Sequence, residues 1–265
     1  LDSVAGNTGQ FIISDGSGWL APVSAKYEGA DAYTFGYRTG TVGAFSFLTS
    51  GRASLPNTAS GQWSVAMGGY GTIASGTPSV AFLGSTASGG RSFAVGFGTV
   101  ASGVDAISMN GSTVSGTSSI GINGSNVSGS NSAGINGAIV SGDRSAAINQ
   151  GTASGINSFA VGSSSVASGD RSVALSGGTA SGARSIAWNG GDASGNSSTA
   201  WNSGDAQSYL ETSFGQHSDT AATKDVDSWV VTDRLLTIGN GTSGSPSNAL
   251  VMLKNGNTTV NGNWT

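Results

Sequence analysis

The chain has no cysteine, which excludes disulfide staples and thiolate-ligated metals. It has a single histidine, His217, which leaves little for a catalytic triad. Charge is scarce too. Ten Lys and Arg stand against 14 Asp and Glu, a net charge of −4, which argues against nucleic acid, a partner that needs clustered cations. No run approaches the roughly 20 apolar residues of a membrane helix. Nor does Leu1 open a basic-then-apolar leader, so the chain is expected to be a processed protein or a fragment.

What is present is glycine, 45 of 265 residues, and each one inside a helix would cost about 1 kcal/mol relative to alanine. Long helices are therefore disfavoured and an all-β fold is expected. Gly/Ser-rich chains often stay unfolded. Here 37% of residues are hydrophobic, including 6 Trp and 9 Phe, which is enough apolar material for folded structure.

The glycines are periodic. Those of successive Ser-Gly pairs fall at 61, 76, 89, 103, 116, 129, 142, 155, 169, 182 and 195, so nearly every step is 13 or 14. Ser208 continues the register, and Gly29 and Gly43 open it more loosely. Roughly fourteen copies are expected between about residues 29 and 215. Each reads A/V-S-G-x-x-S-φ-A-φ-G/N, with φ apolar, as in "ASGQWSVAMG" and "ASGARSIAWN". The S-φ-A-φ core alternates with period 2 and predicts a strand. Its large face carries Val65/Met67, Phe93/Val95, Ile107/Met109, Ile120/Ile122 and Ile186/Trp188; its small face carries Ser64/Ala66, Ser92/Ala94, Ser119/Gly121 and Ser185/Ala187. The following Gly or Asn suits a turn with φ > 0. A second short strand then leads to the next Ser-Gly. Two strands and two tight turns per copy make one turn of a flattened coil, with the large residues expected inside and the small ones between chains. Such a coil is thin, so sideways association with further copies of itself is expected.

The repeat resembles the YadA-type head of trimeric autotransporter adhesins, through "SVAMG" (64–68) and "SFAVG" (92–96 and 158–162). The resemblance implies a left-handed parallel β-roll, a homotrimer and a bacterial cell-surface, extracellular location. It departs in its 13-residue period and in the frequent Asn at the Gly position. The implied role is a non-enzymatic adhesin or fibre segment that attaches to a host or prey cell-surface glycan or protein. The implied organisation is an N-terminal hairpin collar over 1–28, the roll over 29–215, and a linker with a hairpin collar over 216–265. Asp15-Gly16-Ser17-Gly18 and Asn255-Gly256 are the hairpin signals. These end segments also resemble phage or injection-machine tail fibres, the alternative reading. Neither an anchor barrel nor a long heptad stalk is legible, so a section of a larger protein is expected.

Several residues stand out as sites. Trp188 and Trp201 share one slot of successive copies and suit either a sugar-binding shelf or a thicker core. Arg171 and Arg184 share the slot that Trp63, Arg91 and Arg144 occupy elsewhere, and suit a carboxylate or sulfate, or else a solvated edge. Asn110, Asn123, Asn136, Asn149, Asn189 and Asn202 suit an amide ladder and left-handed turns at once. His217 with Asp219, Asp225 and Asp227 is too loosely spaced for a metal site. Asp105, Asp143 and Asp170 fall in turns without pairing, and no G-x-S-x-G elbow occurs, so no enzyme, no metal and no cofactor is expected. An ice-binding solenoid would need a regular Thr ladder, whereas the variable slot mixes Ile73, Thr86, Asn126 and Asp192.

Overall fold

The computed structural model describes residues 25–27, 33–35, 43–49, 57–221 and 224–262. The hairpin expected at Asp15–Gly18 lies outside them. Their regular structure is all strand. The chain divides into two compact units, residues 1–124 and 125–265.

In the first unit, strands Phe47–Thr49, Val65–Met67, Ser79–Phe82, Ser92–Val95, Ile107–Met109 and Ile120–Ile122 stack in parallel as one sheet. The two-residue strands Thr58–Ala59, Ile73–Ala74, Thr86–Ala87, Val100–Ala101 and Thr113–Val114 stack as a second. The chain alternates between the two sheets, which makes a parallel β-solenoid. Ahead of it, Tyr33–Phe35 joins the first sheet in parallel and Ala25–Tyr27 pairs with it antiparallel. The second unit repeats the plan, with first-sheet strands from Ala133–Ile135 to Thr212–Gln216 and second-sheet strands from Asn126–Val127 to Asp205–Ala206. Twelve turns have both strands among the described residues; the two looser copies before them contribute first-sheet strands.

Sidedness reverses the expectation. The small residues are the core. Ala66, Ala81, Ala94, Ser108, Ala147, Ala160, Ala174, Ala187 and Ala200 are wholly buried, as are the facing Ala59, Ala74, Ala87, Ala153 and Ala180. The large residues point outward: Ile107, Phe159, Ile186 and Trp188 are exposed, and Val65, Phe93 and Ile120 half-exposed. The physical reason is the narrow bore. A Cβ on Gly134 would lie 2.7 Å from Val127 Cγ2 across the roll, and one on Gly191 2.5 Å from the Ala200 carbonyl oxygen. Leucine or isoleucine has no room at these turns; the larger buried residues are Leu48, near the N-terminal end, and Val114, Val127 and Val140 of the second sheet.

The Ser-Gly glycines answer a different constraint. A Cβ on Gly142 would stand 2.1 Å from the Gly155 carbonyl oxygen of the next turn, and Gly76, Gly89, Gly155, Gly169 and Gly182 face the same collision. Glycine is required there by close approach of successive turns; positive φ is not the cause. The buried serines link turns: Ser132 Oγ donates to the Gly142 carbonyl at 2.8 Å and Ser145 Oγ to that of Gly155 at 2.7 Å.

At its C-terminal end the second unit's first sheet continues as a meander. Thr212–Gln216 pairs in parallel with Arg234–Asn240, which pairs antiparallel with Asn248–Leu253. Thr258–Val260 closes the hairpin beyond Gly256, whose φ is 88°. Glu211 ends the roll. Its buried carboxylate accepts from the Gln207 and Ser208 amides, at 2.8 and 2.9 Å, and from Thr237 Oγ1 at 2.9 Å.

Candidate functional site

Because the strands alternate, the outer face of the first sheet presents two apolar columns in each unit. In the first unit they run Val65, Val80, Phe93, Ile107, Ile120 and Met67, Phe82, Val95, Met109, Ile122. In the second, one column runs Ile135, Ile148, Val161, Leu175, Trp188 and Trp201. Trp188 and Trp201 therefore stand outside the roll, not inside a thickened core. Their rings lie 5.2 Å apart, with Phe214 a further 5.8 Å beyond Trp201. They continue an aliphatic column, so the aromatic shelf is one end of a larger apolar surface.

The turn before each first-sheet strand forms its leading rim. Here Trp63, Arg91, Asp105, Ser118, Asn131, Arg144, Asn157, Arg171 and Arg184 occupy one slot, all with φ between 54° and 59°. Such φ values are uncommon for bulky residues. Arg91 is bidentate to Asp105, both contacts at 2.6 Å, which holds that carboxyl below its usual range. Arg144 Nε donates to Asn157 Oδ1 at 3.0 Å. Arg171 and Arg184 occupy neighbouring turns and are exposed.

The turn after each strand forms the trailing rim. Asn110, Asn123, Asn136, Asn149, Asn189 and Asn202 all sit there with φ from 51° to 62°. Asn136 Nδ2 donates to Asn149 Oδ1, and Asn189 Nδ2 to Asn202 Oδ1, both at 2.8 Å. Ladder and left-handed turn coexist at these positions. Sequence reasoning passed over the same slot nearer the N-terminus. Two residues ahead of the buried Thr72, Ser85 and Thr99, where later turns carry Asn, stand Tyr70, Leu83 and Phe97. Phe97 is 78% exposed, more than any other large apolar residue described, and its ring lies 6.5 Å from that of Tyr70. Aligning the copies on the buried Ser/Thr reveals the substitution. Aligning them on Ser-Gly hides it, because the turns at Tyr70 and Phe97 are longer.

The second sheet turns Thr58, Ile73, Thr86, Val100 and Thr113 outward in the first unit. In the second unit the column ends in Asp192 and Asp205, register neighbours. Asp205 is half-buried, and desolvation with the adjacent Asp192 charge pushes its carboxyl up to about 6. Gln207 donates to it, and Lys224 donates to Gln207. Lys254 is buried between the Tyr209 and Trp229 rings, with Asp233 3.8 Å away. Among the described residues no group of three or more His, Asp or Glu is placed to hold a metal. Asp225 instead accepts the Asp227 and Ser228 amides at 2.9 and 2.8 Å, a turn that ties down the connector.

The family model of the YadA head domain repeat matches two stretches, residues 84–109 and 153–175. A search of curated proteins finds no match. The matched stretches are turns of the solenoid just described, one in each unit. In these two stretches the chain thus carries YadA head domain repeats.

Proposed function

We propose that this chain is a segment of a homotrimeric, non-enzymatic surface fibre that mediates or presents attachment to a cell-surface glycan or protein. The observation that carries it is the uncovered apolar face of the first sheet. A core of alanine and serine buries little apolar area per turn, and burial stabilises by only about 25 cal/mol per Å². Most of the larger apolar side chains lie outside it, Ile186, Trp188 and Trp201 among them. A homotrimer of left-handed rolls covers them by turning the three first sheets towards a common axis. Trp188 and Trp201 then belong to the assembly. The ligand meets surfaces that still face solvent: the second sheet's outer face and the Arg171–Arg184 pair, which suits a carboxylate or sulfate. The family match speaks for an adhesin head and lends nothing to the tail-fibre alternative.

Sedimentation tests the assembly. The intact chain is expected at three times its 25.9 kDa mass, and a stable monomer refutes the trimer. A glycan and cell-surface screen on the assembled protein tests attachment; binding to none of them would make this segment a spacer.

A further inference from the structure

Both rims of the first sheet carry bulky side chains at the same three turns. On the leading rim, Trp63, Pro78 and Arg91 occupy the slot two residues ahead of Val65, Val80 and Phe93, which are register partners. On the trailing rim the same three turns carry Tyr70, Leu83 and Phe97. All six are exposed. At the next two turns both rims carry only short polar side chains, Asp105 with Asn110 and Ser118 with Asn123. Nothing within one chain explains this match, since the rims lie at opposite ends of the strands. Tyr70 and Leu83 even hold φ at 78° and 58°, in a slot that Asn fills more cheaply elsewhere.

Rotational symmetry supplies the reason. This inference rests on the trimer reading above. In a parallel trimer whose first sheets face the axis, strand direction circulates round the ring. The trailing rim of each copy then faces the leading rim of the next, turn for turn, because rotation adds no axial shift, and the seam closes where both rims carry bulky side chains. We propose that in the trimer these rims lock: Tyr70 of one copy packs on Trp63 of the next, Leu83 on Pro78 and Phe97 on Arg91. The occupant of the exposed aromatic patch is thus a second copy of this chain. Arg91 is suited to its part. Asp105 engages the edge of its guanidinium and leaves the flat face free for an aromatic ring. The contact is also continuous with the apolar columns of the same sheet.

The chain has no cysteine, so cross-linking has no background. Trp63→Cys and Tyr70→Cys are placed in one chain and treated with a mild oxidant or a short bis-maleimide, with Pro78→Cys/Leu83→Cys as a second pair. Covalent trimers are expected on a denaturing gel for each double variant. Each single variant alone should give none, and a mixture of the two singles only dimers. Cross-linking by a single variant would mean like rims meet, and overturns the proposal. Double variants that sediment as trimers yet stay unlinked in both pairs also overturn it, leaving trimerisation intact and the aromatic rim to an outside ligand such as a glycan. A native chain that sediments as a monomer removes the trimer reading and this inference together.

Discussion

Glycine serves two purposes in this chain, and single substitutions separate them. At Gly142 the obstacle is space, because a Cβ would collide with the backbone of the next turn. Gly142→Ala is expected to destabilise by about 3 kcal/mol, seen as a lowered thermal midpoint. At Gly111 there is room, with nothing within 4 Å, but φ is 75°. Gly111→Ala should cost only about 1 kcal/mol. Equal losses at the two sites would contradict this division. Asp205 gives the residue scale a pH dependence. Its folded pKa of about 6 lies above the ordinary 3.8, so the folded state holds this proton more tightly. Stability therefore rises as pH falls through 6 towards 4, and the cost of the ionised group is present at neutral pH. Asp192, Glu211 and Lys224 are the charged groups acting on it. Asp205→Asn should stabilise by about 1 kcal/mol at neutral pH, the figure reduced because the group is partly solvated, and change nothing near about pH 4. Chemical denaturation at the two pH values measures both. An Asn variant equally stabilised at both would show that burial of the charge is not the cause.

At the scale of strands, the first sheet's outer columns and the later arginines of its leading rim have separable roles. Ile186→Glu puts a charge into the apolar column and is expected to shift sedimentation from trimer towards monomer while the far-UV spectrum stays β. Arg171→Ala with Arg184→Ala should leave the trimer intact and weaken binding to sulfated or carboxylated glycans at least tenfold, with neutral glycans unaffected. Unchanged binding would take the arginine pair out of the site. Strand positions and turn chemistry were legible beforehand, since the S-φ-A-φ alternation marks the strands and Asn110 or Asn123 marks the left-handed turn. The aromatic trailing rim was not. Tyr70, Leu83 and Phe97 are separated by 13 and 14 residues, and become neighbours only once the turns are stacked.

At the scale of the whole molecule, a solenoid is a sum of nearest-neighbour contacts. Removing one full turn, residues 139–151, joins Ala138 to Thr152, and Ala138 holds the buried place that Gly151 holds one turn later. That deletion should fold, with a melting temperature lowered by only a few degrees. Removing six residues from the same place throws the remaining strands out of register and should abolish the cooperative transition. Because so much apolar surface lies outside the roll, the melting temperature should also rise with protein concentration.

The sequence by itself determined the period, the alternation of strands and turns, the solenoid and its resemblance to YadA-type heads. Those follow from local chemistry repeated in register: the Ser-Gly step, the alternating core, the Asn or Gly turn. Only the tertiary structure decided which face is the inside. A period of two separates large from small side chains but is symmetric between in and out. The bore breaks that symmetry: a Cβ on Gly134 already collides with Val127, so small residues, with a few valines, fill the interior and isoleucine and tryptophan are turned out.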